Sequence, residues 1–351
     1  MARAACHGRR SAVAALAARR YSVRLMPTVF VTGGAGFVGS HCAKAFAAAG
    51  WTVIAYDSLM RGFRDLVRWG PLIEGDLNDR ATLERALSEA KPDVVAHFAA
   101  VASVGESVRE PEMYYRTNVA GTLTLLEAMR AAGVGKLIFS SSCSTYGIHN
   151  ELITEATPQH PINPYGASKL MGERMIQDYS AAYGLRAVIL RYFNAAGSDP
   201  DLETGERNHW DPRVIPLAIK GAMDGGFTLT IHGDDYATRD GTCVRDYVHV
   251  NDLADAHRRA LDWLQAGKAT EVFNLGAGAG ASVAELADAV ERVSGVPVKR
   301  VIGPRRAGDP PSLVASNAKA REALGWTPQR SDIETIIRDA WAWAEKERAR
   351  S

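Results

Sequence analysis

Cysteine is scarce in this chain: Cys6, Cys42, Cys143 and Cys243 lie far apart, with no Cys-x-x-Cys pair and no Cys/His spacing of a metal site. Scattered thiols exclude a disulfide framework and a metal centre built on them, and they fit a reducing compartment, with the cytoplasm as the expected location. No run of about 18 apolar residues occurs, so no membrane-spanning helix is expected. An excess of one charge is missing too. Lys+Arg 41 stand against Asp+Glu 40, and no basic block runs through the body of the chain, which leaves nucleic acid without its electrostatic footprint. Acid is absent from the first 26 residues, which are rich in alanine and carry Arg3, Arg9, Arg10, Arg19, Arg20 and Arg24. That is the composition of an organelle transit peptide. An upstream extension from a misplaced start codon fits equally, since Met26 directly precedes the first strand-like run. Residues 1–26 are therefore set aside from the fold.

What is present begins with Thr28-Val29-Phe30-Val31-Thr32, followed at once by Gly33-Gly34-Ala35-Gly36-Phe37-Val38-Gly39 and a helix-like stretch from Ser40 to Ala49. Strand, glycine loop and helix in this order suit a pyrophosphate. Gly33 makes the tight turn, Gly36 lets the backbone approach the anion, Gly39 allows close helix–strand packing, and the helix N-terminus offers N–H groups and positive dipole. The spacing GxxGxxG is a variant of GxGxxG. The next strand, Thr52-Val53-Ile54-Ala55-Tyr56, ends in Asp57, where an acid about 20 residues past the loop accepts from the adenosine ribose hydroxyls and repels a 2′-phosphate. The cofactor this implies is NAD rather than NADP.

Strand and helix signals keep alternating through Leu72–Glu74, a helix near Arg80–Ala90, Val94–Phe98, a helix near Glu112–Ala132, and Lys136–Ser141. The pattern predicts an α/β fold: right-handed crossovers and a doubly wound parallel sheet of Rossmann type. Ligands of such sheets bind at the carboxyl ends of the strands, where Asp76-Leu77, Phe98-Ala99-Ala100 and Ser140-Ser141-Ser142 fall. Asp76 could accept from an adenine amino group or serve as a helix N-terminal acid, while the alanine pair lets a cofactor lie close. Ser142 is a candidate hydroxyl for a reacting oxygen, or an ordinary loop cap. Downstream, Pro164-Tyr165-Gly166-Ala167-Ser168-Lys169 opens a helix with proline in its first turn. Tyr165 and Lys169 are then one turn apart on one face. A phenol of pKa about 10 is a poor base at neutral pH, and a nearby cation lowers that pKa toward the working range. From about Asn194 the chain is less periodic. Residues 197–216 read as a substrate loop, followed by a strand near Leu229–His232, a helix near Leu253–Gln265, a strand at Val272–Leu275 and a helix near Val283–Ser294. The expected division is an extension at 1–26, an NAD-binding Rossmann domain at 27–193, and at 194–351 a smaller, mainly substrate-binding α/β lobe that interleaves with the first.

Beyond these readings the chain resembles the extended short-chain dehydrogenase/reductases and, among them, the UDP-galactose 4-epimerases. The resemblance is carried by the glycine loop, His97-Phe98-Ala99-Ala100, Val104-Gly105-Glu106-Ser107-Val108, Asn118-Val119-Ala120-Gly121-Thr122, the run from Phe139 to Gly147, and Asn163 to Lys169. It continues in Leu190-Arg191-Tyr192-Phe193-Asn194, Val244-Arg245-Asp246-Tyr247-Val248-His249, Phe273-Asn274-Leu275-Gly276 and Arg305-Arg306-Ala307-Gly308-Asp309, and covers roughly residues 28–345. It implies a tightly held NAD beside a UDP-sugar. Around the cofactor it places Phe37, Val38, Leu77, Phe98, Asn118 and Tyr192 as well as the residues above. Tyr165 would take the proton of the sugar's 4-hydroxyl, Lys169 would lower the tyrosine pKa and bond the nicotinamide ribose, and Ser142 would orient the hydroxyl. Asn194, Arg245 and Arg306 would meet the sugar-nucleotide phosphates, and Asp309 the uridine ribose. A homodimer is implied, through helices near 112–132 and 164–183.

Departures from the family pattern are Arg213, where a substrate-binding asparagine is frequent, and Ala102, a lysine in some relatives. Relatives that dehydrate or decarboxylate nucleotide sugars carry an acid in the serine loop, which here reads Ser142-Cys143-Ser144-Thr145-Tyr146-Gly147. Without a carboxylate there, plain epimerisation is the expected reaction, with another UDP-sugar as the alternative substrate and a noncatalytic NAD-sensing protein as a further alternative. Leu313 falls where some relatives carry a tyrosine beside the sugar's 2-substituent, so a pocket wide enough for an N-acetyl group is expected.

Overall fold

The computed structural model describes residues 26–149, 151–207, 213–225, 228–305 and 310–350. Nearly all of the extension at 1–26, part of the 197–216 loop, and both Arg306 and Asp309 therefore lie outside the described residues.

Seven parallel strands form the centre. They are β1 (Thr28–Thr32), β2 (Thr52–Asp57), β3 (Leu72–Glu74), β4 (Val94–His97), β5 (Lys136–Ser142), β6 (Arg186–Tyr192) and β11 (Glu271–Leu275), in the order β11-β6-β5-β4-β1-β2-β3. The order reverses between β1 and β4, which opens a crevice at their carboxyl ends. Strand alternation sorts the core. Val29 and Val31 face a cluster with Phe46 of α1 (Phe37–Ala48) and Leu253 and Leu261 of α8 (Val250–Gln265). Phe30 between them faces a cluster with Leu83 of α2 (Arg80–Ala90), Leu125 of α5 (Gly121–Ala131) and Ile176 of α6 (Pro164–Tyr183). The parallel sheet, covered on both faces, is the doubly wound arrangement that the strand–helix alternation predicts.

The helix expected near 112–132 is broken into three. A short turn, Pro111–Tyr114, runs into a wide π turn, Tyr115–Ala120, before α5 begins. The wide turn carries Asn118, which is buried; its amide accepts from Val101 N–H (2.9 Å) and donates to Val101 O (3.0 Å) and Ser168 Oγ (2.9 Å). Periodicity could not show this, because a π insertion costs local regularity for a contact made elsewhere.

The remaining elements lie beyond β6: the paired β7 (Asn194–Ala196) and β10 (Tyr247–His249), the pair β8 (Leu229–His232) and β13 (Arg300–Gly303), and a three-stranded sheet β12-β9-β14 (Ala281–Ser282, Val244–Arg245, Ser312–Leu313). Helices α7 (Val214–Asp224), α9 (Val283–Ser294) and α11 (Ile333–Arg348) bury Ile219, Leu286 and Ile336 in a third cluster. α7 starts inside the stretch expected to be loop, with Pro216 in its first turn, where a missing N–H costs nothing. Among the described residues no helix is long and apolar enough to cross a membrane.

Candidate active site

The glycine loop joins β1 to α1 at the crevice. Gly33 has φ +73°, and a Cβ at Gly39 would lie 2.1 Å from the Gly33 carbonyl oxygen, so only glycine permits the helix to start so close to the strand. No side chain caps α1 and no acid stands in its first turn, which leaves its N-terminus to an anion. The carboxylate of Asp57, buried at the end of β2, accepts from Ala35 N–H (3.0 Å) and Leu59 N–H (2.8 Å). Burial raises its pKa and the two amides pull it back. It keeps lone pairs for a ribose hydroxyl and meets the loop that would hold the pyrophosphate, so the residues present fit an NAD. Across the crevice, Ala99 lies against Gly33 and the ring of Phe98 lies tilted, 4.8 Å from that of His257. Asp76 is exposed and accepts from Asn78 N–H (2.7 Å), while Asp79 caps α2; Leu77 is buried beside it.

Asn163 caps α6 through Gly166 N–H (2.8 Å), and Pro164 takes the first helical position. A Cβ at Gly166 would meet Ser144 O at 2.2 Å, so the start of α6 is pressed onto the serine loop. Tyr165 and Lys169 then follow one turn apart. Tyr165 is half-buried, its ring 6.3 Å edge-on from that of Tyr114. Lys169 is 4% exposed and donates to Ser140 O at 2.9 Å; burial lowers its pKa to about 8, against the pull of Glu173. Ser140 also bonds Tyr192 through its hydroxyl, so one serine, not assigned from sequence, touches both Lys169 and Tyr192. Ser142 Oγ accepts from Ser144 N–H (3.1 Å), the loop-cap role, in a contact that uses a lone pair and not its hydrogen.

Sequence reasoning missed a buried ion pair one turn beyond Lys169. Glu173 (1% exposed) receives Arg191 Nε at 2.9 Å and Nη2 at 2.5 Å, together with Ser141 Oγ and Gln159 Nε2 (3.1 Å). Arg191 Nη1 donates to Tyr146 Oη (2.8 Å), which donates to Asn274 Oδ1 (2.7 Å). A signal existed: an arginine inside the apolar run Ala187-Val188-Ile189-Leu190 must find an anion. His97 is buried between Thr32 Oγ1 (2.7 Å to Nδ1) and Thr122 Oγ1 (3.1 Å to Nε2). Thr122 gives its hydrogen to Asn118 O, so Nε2 carries the proton and Nδ1 accepts from Thr32. Burial holds this neutral ring's pKa down, at about 3.

On the far side, Asn194 donates from its amide to Asp246 O (2.9 Å). Arg245 donates to Val244 O and Pro310 O (2.9 Å each) and pairs in register with Leu313. Leu313 packs on the cluster of Cys143, Tyr146 and Phe193, next to the serine loop. Asp246, fully buried, takes three backbone N–H groups, from Ala277, Gly278 and Ala315. Arg213 precedes α7, bonds Glu206 and Ala195 O, and lies 5.3 Å over the ring of Phe37. Ala102 is exposed.

Comparison with known proteins gives the same direction. The model of the NAD dependent epimerase/dehydratase family matches residues 29–276. The chain is 48% identical over 320 residues to a UDP-glucose 4-epimerase of Rhizobium leguminosarum bv. trifolii, covering 91% of this chain and 98% of that protein. Among solved structures it is similar to the UDP-glucose 4-epimerase of Brucella ovis in complex with NAD (TM-score 0.88, 48% identity, 90% of this chain and 98% of that one). It is also similar to the UDP-Glc/GlcNAc 4-epimerase of Campylobacter jejuni (TM-score 0.81, 38% identity, 91% and 99%).

Proposed function

Because the chain belongs to the NAD dependent epimerase/dehydratase family, we propose that it interconverts UDP-galactose and UDP-glucose as an NAD-dependent 4-epimerase. The observation that carries the reading is Tyr165 one turn from a buried Lys169, beside a serine loop that holds no carboxylate. NAD, when bound, supplies a hydride acceptor that returns the hydride to the sugar's other face. The protein's own groups do the rest. Tyr165 takes the proton from the 4-hydroxyl and gives it back, Lys169 favours the phenolate, and Ser142 orients the reacting oxygen. Gly33, Gly36 and Gly39 with Phe37 and Val38 hold the pyrophosphate, and Asp57 holds the adenosine ribose. Asp76 serves the adenine, with Leu77, Phe98, Ala99, Ala100, Asn118 and Tyr192 lining the cofactor's path. Asn194 and Arg245 serve the sugar nucleotide, and Arg306 and Asp309 are assigned to it from sequence. Three described cysteines are free and buried, in keeping with action in the cytoplasm. Exposed Leu123 on α5 and Met171 on α6 support a homodimer through these helices.

Incubating the purified protein with UDP-galactose and separating the products by chromatography tests the activity. UDP-glucose should appear without NADH accumulating, and NAD should copurify. A requirement for stoichiometric added NAD would replace this reading with a dehydrogenase. Substrate breadth rests on Leu313: the wild type should also turn over UDP-N-acetylglucosamine, and Leu313→Tyr should lose that substrate while keeping UDP-glucose. Equal impairment of both would mean that Leu313 acts only through its packing.

A further inference from the structure

Helix α1 is gripped on its side by residues 197–207, the segment that follows β7. Lys44, two turns into the helix, sets its ammonium among three carboxylates of that segment: Asp199 at 2.9 and 2.8 Å, Asp201 at 2.7 Å and Glu203 at 2.9 Å. One turn earlier, Ser40 Oγ lies 2.6 Å from Thr204 Oγ1. The three carboxylates are close enough together to hold a metal ion, but the lysine is the cation that fills the place. Asp199 also shapes the turn, accepting Glu203 N–H at 3.1 Å while its own N–H bonds Thr204 O at 3.2 Å.

The segment's other side is fixed to α11. Trp343 Nε1 donates to Glu206 O (3.0 Å), Lys346 donates to Leu202 O, and Arg207 pairs with Glu347. Leu202 holds a positive φ of 56°, a strained backbone for a side chain of its type that the surrounding contacts maintain. Residues 197–207 are thus a built strap between two helices that are distant in sequence. The strap is asymmetric in exposure: the Asp199 side chain is 2% exposed, Lys44 24%, Glu203 38% and Asp201 71%. Burial works against the Lys44 ammonium, and the three carboxylates outweigh it and raise its pKa above the usual value. The Lys44–Asp199 pair carries most of the linkage, since exposed partners are screened by water.

We propose that Lys44 is a positioning residue for the cofactor: it locks α1, whose N-terminus is the pyrophosphate cradle, to the 197–207 strap and through it to α11, so that NAD is retained across turnovers. The proposal rests on the NAD reading and not on which sugar is epimerised. A hydride held between two half-reactions is wasted if the carrier leaves, so a rigid mount for the cradle serves the chemistry without touching it.

The test is the rate at which holoenzyme exchanges its bound NAD for radiolabelled NAD, followed by filtration. Lys44→Met should speed exchange about tenfold, an ordinary size for coupling between sites. Asp199→Asn should act similarly, Glu203→Gln less, and Asp201→Asn hardly at all, while Lys44→Arg should hold the wild-type rate. With NAD in excess, kcat of Lys44→Met should equal that of wild type. Wild-type exchange rates in both Lys44→Met and Asp199→Asn would overturn the proposal, as would equal acceleration in Lys44→Met and Lys44→Arg, which marks a packing role. A wild-type protein that neither copurifies with NAD nor takes up labelled NAD would overturn it through the cofactor reading instead.

Discussion

The two ends of α1 are held in opposite ways. At its N-terminus backbone meets backbone, with Gly39 so near Gly33 that no side chain fits between helix and turn, and the partners lie within one short loop. Two turns later the same helix is held by Lys44, whose carboxylate partners come from residues 155 and 157 positions away. The first attachment is made by removing side chains and leaves a glycine signature. The second is made by charged side chains that look like any solvated pair until the fold brings them together. Helix α6 repeats the contrast: Tyr165 and Lys169 are related by helical periodicity alone, whereas Glu173, one turn on, acquires its role only from Arg191 on β6.

The largest effect expected from breaking this contrast is on the local side. Tyr165→Phe removes the proposed base and should lower kcat by about 10²–10⁴, with NAD and UDP-sugar binding retained in calorimetry. Near-wild-type turnover would place the chemistry elsewhere.

On the long-range side, Glu173→Gln leaves Arg191 as a buried charge without its partner and should cost about 3–5 kcal/mol in urea unfolding. A loss below about 1 kcal/mol, the range of an exposed pair, would show that water reaches the site.

A graded effect of comparable size comes from pH. His41, His97 and His257 are buried, and burial holds their pKa values at about 4, 3 and 4. A folded-state pKa below the unfolded value of about 6.5 means that the unfolded chain binds the extra protons. Stability should therefore be full above pH 6.5 and fall as pH drops toward 4, by about 1.4 kcal/mol per pH unit for each histidine. The raised carboxyls of Asp57 and Asp246 work in the opposite sense near pH 4. Urea midpoints at pH 7.5, 6 and 5 check this; equal midpoints would mean that the rings protonate within the fold.

The smallest effect should be that of Arg174→Ala. Its exposed pair with Asp178, one helical turn away at 3.4 Å, should contribute less than about 0.5 kcal/mol to unfolding. A larger loss would mean that exposed pairs on α6 carry more than their geometry suggests.

By itself the sequence determined whatever depends on short-range order. The β1–glycine loop–α1 unit, the alternation that makes a parallel sheet, Asp57 at the end of β2, and the spacing of Tyr165 and Lys169 were all legible, because strand period, helix period and glycine's missing side chain act between near neighbours. Tertiary structure alone decided that α5 is preceded by a wide turn serving Asn118, that α7 starts before Pro216, and that the Ser140 carbonyl meets the lysine. It also decided that Arg191 finds Glu173, and that Lys44 is enclosed by Asp199, Asp201 and Glu203. Each of these depends on which distant group the fold delivers to a buried charge or amide. A buried polar group requires a partner, and residue type and spacing do not say which one it will be.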